Sequence, residues 1–101
     1  MSRSPYQLSA LARLDLLQIW NYLADHASLE VADKVSADIE SGIRQVAKSP
    51  SLGHKREDLT PRQILFYLVH SYFVIYRPDK KPLHVIRILH SARDVARLLE
   101  E

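Results

Sequence analysis

The stretch VIRILHSARD, residues 85–94, carries three side chains that can contact a phosphate group, namely Arg87, His90 and Arg93. Cleavage of RNA requires a base for the 2′-hydroxyl, an acid for the leaving 5′-oxygen and cations for the developing charge. His90 as acid or base, Glu57 as base and Arg87 as cation would supply these groups. Without catalysis, the same basic residues would form a surface for an anionic partner.

The spacing of Arg87 and His90 does not favour a shared catalytic site. Side chains of a strand alternate between its two faces. Alternation predicts Val85, Arg87 and Leu89 on one face and His84, Ile86, Ile88 and His90 on the other. Arg87 and His90 would then point apart, unless the strand end twists. A structural explanation of Arg87 also stays open, in which it is partly buried and pairs with Asp15 or Asp94.

The composition predicts one globular domain over residues 1–101, because 47% hydrophobic and 26% charged residues are typical of folded soluble proteins. The absence of cysteine excludes a disulfide framework, a thiolate zinc site and a cysteine nucleophile. We predict no metal and no cofactor. The N-terminal sequence lacks the apolar run of a signal peptide, and no stretch approaches the roughly 20 apolar residues that span a bilayer. We therefore predict a cytoplasmic protein without a membrane partner.

The charge is unevenly distributed along the chain. Residues 1–53 hold five Lys or Arg against six Asp or Glu, a net charge of −1, and residues 54–101 hold nine against six, a net charge of +3. Four of the five histidines also lie in the second part. This asymmetry indicates either an anionic partner, such as a nucleic acid, a nucleic-acid enzyme or an acidic protein segment, or a lightly basic solvated surface.

Two amphipathic helices are predicted from an apolar period of 3.6 residues. The first runs from Ala10 to His26 behind Ser9 as N-cap, and the second runs from behind Ser28 to about Lys48. The apolar stripe of the first helix consists of Ala12, Leu16, Ile19, Trp20 and Leu23.

Three residues of these helices need a separate explanation. Leu14 and Leu17 lie outside the apolar stripe. They are either ordinary exposed leucines or one edge of a partner-binding groove. Gly42 of the second helix lowers helix propensity, so it predicts the close approach of another element.

After Ser49–Gly53 the apolar period changes from 3.6 to 2. Three strands separated by short turns are predicted, at Ile64–Val69, Tyr72–Tyr76 and Leu83–Leu89, and they must form an antiparallel meander. Ser91 and Asp94 have capping-box spacing and predict a short C-terminal helix. With a strand-like segment before the first helix, the fold class is α+β. The helix hairpin can cover only one face of the sheet, which leaves the other for something else.

The order of these elements is accompanied by a set of short motifs. They are Tyr6-Gln7-Leu8-Ser9, Ala12, Asp15-Leu16, Ile19-Trp20-Asn21-Tyr22-Leu23, Ser49-Pro50, Gly53, Arg56, Asp58-Leu59, Tyr72-Phe73-Val74-Ile75-Tyr76-Arg77, Arg87-Ile88-Leu89-His90 and Arg93-Asp94. Over nearly the whole chain, their order and spacing resemble the ParE branch of the ParE/RelE toxins. The segment Tyr67–Ser71 departs from this pattern, because relatives commonly have a more polar sequence there.

The resemblance implies the toxin of a type II toxin–antitoxin pair, which inhibits DNA gyrase and is neutralised by a cognate ParD-like or other small antitoxin in a hetero-oligomeric complex. A RelE-like ribosome-dependent mRNA endoribonuclease and an inactive antitoxin-binding module are the alternatives. For the gyrase contact we predict Arg77, Arg87, His90 and Arg93, which we expect to cluster at one end of the sheet. For the antitoxin contact we predict Leu14, Leu17, Tyr72, Tyr76 and the uncovered sheet face.

Overall fold

A computed structural model describes residues 4–100, so the first three residues and the last residue of the predicted domain lie outside the described part. The elements in chain order are β1 (Tyr6–Leu8), α1 (Ala10–His26), α2 (Leu29–Lys48), a 3-10 turn (Pro50–Leu52), β2 (Leu65–Val69), β3 (Tyr72–Arg77), β4 (Leu83–His90) and α3 (Val95–Leu99). This architecture confirms the predicted α+β fold class.

Serine side chains begin both long helices. The Ser9 hydroxyl accepts a hydrogen bond from the Ala12 N–H (3.0 Å), and the Ser28 hydroxyl accepts one from the Val31 N–H (3.0 Å). These bonds satisfy backbone donors that have no partner inside the first turn of a helix. The predicted caps and the predicted ends of α1 and α2 are confirmed.

The sheet has the strand order β1-β4-β3-β2. β2, β3 and β4 form the predicted antiparallel meander, and β1 lies parallel to the first half of β4, with Tyr6 opposite Leu83 and Leu8 opposite Val85. β1 is only three residues long, so it covers β4 no further than Val85. The second half of β4 therefore extends beyond the end of β1 and, within residues 4–100, has no neighbouring strand on that side.

A β-bulge interrupts the alternation of side chains along β4. Consecutive residues of β3 pair with Arg87 and Val85, which leaves Ile86 as the extra residue. Val85 packs on the side of the sheet that faces α1 and α2, whereas Leu89 packs on the opposite side. The prediction that Val85, Arg87 and Leu89 share one face is wrong, because the extra residue shifts the alternation.

The sheet face opposite α1 and α2 is also covered. α3 supplies Val95 and Leu99, and the segment before β2 supplies Ile64. These residues pack against sheet residues on that face, namely Phe66, Ile75 and Leu89. All six side chains are at most 6% exposed. The prediction of an uncovered face is therefore wrong, because the short C-terminal helix and the loop before β2 already cover this side.

α3 begins later than the sequence predicts. The Asp94 carboxylate accepts a hydrogen bond from the Arg97 N–H (3.3 Å) and is the N-cap. The Ser91 N–H donates instead to the Ser71 carbonyl (2.7 Å) in the turn between β2 and β3. The prediction of Ser91 as the N-cap is wrong, because its backbone is bound to that turn.

Gly42 lies where α2 crosses β2. A Cβ atom at Gly42 would lie 2.6 Å from Cγ2 of Val69 and 3.4 Å from the ring of Tyr67. The first distance is below normal van der Waals contact, and the β-branched Val69 side chain has few alternative rotamers. The predicted close approach at this glycine is confirmed.

We expect Gly42→Ala to lower the free energy of unfolding by about 2 kcal/mol. Overpacking of a closely packed contact costs up to about 3 kcal/mol, and the higher helix propensity of alanine returns about 1 kcal/mol. Chemical denaturation measures the difference. The control is Ser41→Ala at the exposed neighbouring position, which changes stability by no more than about 0.5 kcal/mol. Unchanged or increased stability of Gly42→Ala would mean that Val69 moves aside at no cost.

Candidate functional site

A buried ion pair joins α1 to β4. Nε of Arg87 donates to Oδ2 of Asp15 (2.8 Å), and Nη2 donates to Oδ1 (3.0 Å). Asp15 is 5% exposed and Arg87 is 9% exposed. A two-point contact between a guanidinium and a carboxylate fixes the orientation of both groups as well as their separation. Of the two partners that the sequence left open for Arg87, Asp15 and Asp94, the structure shows Asp15.

Side chains from the beginning of α1 also take the place of a neighbouring strand along β4. The Ser9 hydroxyl donates to the Ile86 carbonyl (2.7 Å), and Oδ2 of Asp15 accepts from the Ile88 N–H (3.0 Å). Both backbone groups lie beyond the end of β1, where no strand of the sheet pairs with them. Buried backbone groups without hydrogen bonds destabilise a fold, so these two side chains complete the sheet edge.

Arg87 is consequently an internal residue. Besides its pair with Asp15, it donates from Nη1 to the Leu98 carbonyl of α3 (3.2 Å). One side chain of β4 thus contacts both a long helix and the C-terminal helix. The prediction that Arg87 contacts an external target is wrong for this conformation, because its guanidinium is buried among groups of its own chain.

Arg77 lies at the opposite end of the sheet from His90. β3 carries Tyr72 next to His90 at one end and Arg77 at the other. Five steps of about 3.3 Å separate the two ends by roughly 17 Å. The Arg77 guanidinium donates to Asp79 in the following turn (3.2 Å). The prediction that Arg77 clusters with the other basic residues is wrong, because Arg77 lies at the end of β3 that is farther from His90.

His90 and Arg93 remain close to each other, beside Tyr72. The Ala92 N–H donates to Nδ1 of His90 (3.0 Å), so this nitrogen accepts and the proton of the neutral ring lies on Nε2. The His90 ring meets the Tyr72 ring edge to face, with centroids 5.2 Å apart. Burial raises the pKa of the Tyr72 hydroxyl, so this group is a neutral phenol at neutral pH.

These residues border a cavity of about 750 Å³ between α1, α2 and the ends of the meander strands, which we call the α1 cavity. Its lining consists of Asp15, Gln18, Ile19, Tyr22, Leu23, Val35, His70, Ser71, Tyr72, Ile88, His90 and Arg93. Sequence analysis did not find this cavity, because its walls come from four separate segments of the chain. The only available signal was the recurrence of Gln18 and Tyr22 four residues apart on one helix face.

His70, in the turn between β2 and β3, has a left-handed backbone conformation with a φ of 53°. Such a conformation is uncommon outside glycine, although histidine adopts it more readily than most residues. Nε2 of His70 contacts Oδ2 of Asp38 on α2 at 2.7 Å. This hydrogen bond, followed by that from Lys34, lowers the pKa of the Asp38 carboxyl. The contact fixes the turn against α2 at the border of the α1 cavity.

The groups proposed for RNA cleavage do not come together. Glu57 is exposed in the loop before β2, next to Arg56, whose guanidinium carbon lies 5.6 Å from the centroid of the Phe73 ring. Phe73 packs on the α3 side of the sheet, whereas His90 contacts Tyr72 in the core on the side of the long helices. The sheet therefore separates the loop of Glu57 from His90.

The residues predicted for antitoxin contact divide into two groups. Leu14 and Leu17 are 47% and 56% exposed on α1, and Leu11 and Tyr22 of the same helix are 45% and 57% exposed. Tyr72 and Tyr76, in contrast, are buried, with 8% and 0% of their surface exposed, and Tyr72 lines the α1 cavity.

The Tyr76 hydroxyl fixes the segment that follows α2. It donates to the Pro50 carbonyl (2.6 Å) and accepts from the Gly53 N–H (2.9 Å). Burial raises the pKa of this hydroxyl, and the bond from Gly53 lowers it by less. The prediction of Tyr76 as a partner contact is therefore corrected, because both the ring and the hydroxyl are used inside the fold.

Within residues 4–100, no three His, Cys, Asp or Glu side chains are grouped so that they could hold a metal ion. No helix in the same range is long and apolar enough to cross a membrane.

Comparison with known proteins identifies relatives over nearly the whole chain. Residues 6–95 match the family model described as the ParE toxin of the type II toxin–antitoxin system parDE. Toxin ParE1 of Caulobacter vibrioides is 30% identical over 90 residues, which are 87% of this chain and 90% of that protein. Toxin ParE1 of Mycobacterium tuberculosis is 27% identical over 99 residues, which are 95% and 98% of the two chains.

A solved structure shares the fold. It is described as the chromosomal ParDE TA system from P. aeruginosa and superposes with a TM-score of 0.72, over 84% of this chain and 92% of the other. The sequence identity is 18%, so this similarity concerns the fold alone.

We expect Arg87→Met to lower the free energy of unfolding by about 3–5 kcal/mol, because it leaves the Asp15 charge buried without its partner. Arg77→Met removes an exposed ion pair and costs less than about 1 kcal/mol. The double variant Asp15→Asn with Arg87→Met keeps an acceptor for the Ile88 N–H without a buried charge. Urea denaturation should show that this double variant is more stable than Arg87→Met. Equal losses of stability in Arg87→Met and Arg77→Met would contradict the structural role of the Asp15–Arg87 pair.

Proposed function

The chain belongs to the ParE toxin family of type II toxin–antitoxin systems, and from this membership we propose that it inhibits DNA gyrase and is neutralised by a cognate ParD-like antitoxin. The observation that carries the proposal is the family match over residues 6–95, together with relatives aligned over most of their own length. We further propose that residues 1–101 act as one domain, in the cytoplasm, where gyrase and DNA are found, and form a hetero-oligomer with the antitoxin.

The proposed inhibition requires binding and no catalysis. The distribution of the candidate catalytic groups supports this choice over ribonuclease activity. Arg87 is bound to Asp15, and Glu57 lies in a loop on the other side of the sheet from His90. An acid, a base and a cation acting on one phosphate must lie within hydrogen-bond reach of it, which this arrangement does not provide.

For the contact with gyrase we propose His90 and Arg93. Arg93 is exposed in the turn that follows β4, and His90 carries its proton on Nε2. A guanidinium and an imidazole N–H suit either acidic side chains of the enzyme or phosphates of its DNA. Arg77 lies too far from both residues to belong to the same contact.

For the contact with the antitoxin we propose the exposed apolar side of α1. Leu11, Leu14 and Tyr22 follow one another at intervals of three and eight residues, so they form a stripe along the helix, and Leu17 widens it. Exposed apolar side chains that are contiguous on a monomer are typical of interfaces. An amphipathic segment of the antitoxin would cover them.

We expect the purified protein to inhibit plasmid supercoiling by gyrase and to increase the amount of linear, cleaved plasmid. A parallel assay with translating ribosomes should show no mRNA cleavage. Arg93→Ala should raise the concentration needed for half inhibition about tenfold, as the loss of a central interface arginine does, and Arg97→Ala on the exposed side of α3 is the matched control.

Cleavage of mRNA by a sample that leaves gyrase unaffected would contradict the proposed target. Equal effects of Arg93→Ala and Arg97→Ala on gyrase inhibition would leave gyrase as the target but would exclude Arg93 from the contact.

We expect the double variant Leu14→Ser with Leu17→Ser to bind the antitoxin about 100-fold more weakly, because each buried leucine contributes roughly 1.5 kcal/mol. Both side chains are exposed in the free protein, so the free energy of unfolding should change by less than about 1 kcal/mol. Calorimetric titration with the protein encoded beside the toxin measures the affinity.

Leu29→Ser is the matched control, since Leu29 is 63% exposed at the beginning of α2, away from the stripe. An affinity of the double variant equal to that of this control would exclude the α1 stripe from the interface.

A further inference from the structure

The α1 cavity combines an apolar body with one polar end. Ile19, Leu23, Val35 and Ile88 form apolar walls, and its volume of about 750 Å³ lies within the range of cavities that bind ligands. His90 and Arg93 lie together at the end formed by the turn after β4. A ligand that fills the cavity therefore needs an apolar group next to a polar one.

The charges around the cavity are unbalanced. Asp15 and Arg93 are the lining residues with permanent charges. Asp15 is neutralised by Arg87 and also binds the Ile88 N–H. The Arg93 side chain has no hydrogen bond or ion pair with any other residue in the range 4–100. The available charge at this end is therefore positive.

The hydrogen-bonding groups at the same end are donors. The Ala92 N–H occupies Nδ1 of His90, which leaves the Nε2–H as its free group, and a guanidinium has donors only. Two neighbouring donors, one of them charged, are satisfied by an anionic group with two acceptor oxygens, such as a carboxylate.

We propose that the α1 cavity binds an apolar side chain of the antitoxin together with an adjacent carboxylate, which contacts Arg93 and His90. This inference rests on the proposed function, because it takes the partner from there. Gln18 and Tyr22 line the cavity and lie on the same side of α1 as Leu14, at intervals of four residues. A single acidic amphipathic segment can therefore cover the α1 stripe and end in the cavity.

A DNA backbone is a weaker fit to the same donors. A phosphodiester would satisfy Arg93 and His90 but would leave the apolar walls in contact with water. Burial of an aliphatic side chain favours binding, and only a ligand with an apolar group gains this contribution. Because Arg93 is also the proposed gyrase contact, occupation of the cavity by the antitoxin would cover it.

The test uses two small probes of nearly the same shape, N-acetyl-L-leucine, which carries a carboxylate, and N-acetyl-L-leucinamide, which carries a neutral amide. Each is titrated separately into the isotope-labelled full chain and followed by NMR. We expect the acid to shift the amide signals of Ile88, His90 and Arg93 and to bind about fivefold more tightly than the amide, as for a partly exposed charged hydrogen bond. Arg93→Gln should reduce this preference to less than twofold. Arg97→Gln should keep it, and both variants should retain the wild-type spectrum elsewhere.

Equal affinities of the two probes, or no shift of the cavity signals by the acid, would overturn the proposal. The proposal would also be overturned if inorganic phosphate shifted the same signals and displaced the acid at equal concentration. That result would favour a nucleic-acid backbone as the ligand. The probes do not involve gyrase. If the protein inhibits gyrase but binds the acid no more tightly than the amide, only the cavity proposal is rejected. If it prefers the acid but does not inhibit gyrase, only the proposed gyrase target is rejected.

Discussion

The hydrogen bonds of Asp15 and its partner Arg87 connect α1, β4 and α3 at one point. A carboxylate from α1 accepts from Arg87 and from the Ile88 N–H, and Arg87 in turn donates to the Leu98 carbonyl of α3. A buried charge is tolerated only when it is paired and hydrogen-bonded, so these three elements must meet in one arrangement. The second half of β4 can thus lack a neighbouring strand on the β1 side, because Asp15 of α1 provides the missing acceptor. The α1 cavity, of which Asp15 forms one wall, depends on the same junction.

The local features of the fold follow from the sequence, and the features that join distant segments do not. A period of 3.6 residues and the two serine caps define α1 and α2, and a period of 2 with short turns defines the meander. The bulge at Ile86 could not be predicted, because an extra residue in a strand leaves the apolar pattern almost unchanged. The start of α3 was assigned too early because Ser91 has the residue type of an N-cap, while its N–H is bound to Ser71.

The candidate site shows the same division. The exposure of Leu14 and Leu17 follows from their angle on the helix, and it needs no knowledge of the rest of the chain. The roles of the arginines depend on the position of an opposite charge, and residue type does not reveal it. Arg87 is paired inside the fold, Arg77 faces Asp79 at the far end of the sheet, and Arg93 keeps its charge available. Which cation is paired inside the fold and which keeps its charge available is therefore decided by tertiary structure.

The hydrogen bonds between the beginning of the chain and β4 set the order of events during synthesis. The bonds that close the edge of β4 connect residues more than 70 positions apart, such as Ser9 with Ile86 and Asp15 with Arg87. Contacts of such large sequence separation form late in folding, because a long loop must close first. Both sides of the α1 cavity therefore exist only after β4 has left the ribosome. A nascent chain in which α1 has already emerged still lacks the β4 side of the α1 cavity, so the residues proposed here for the gyrase contact and for the cavity end of the antitoxin contact come together in the same step.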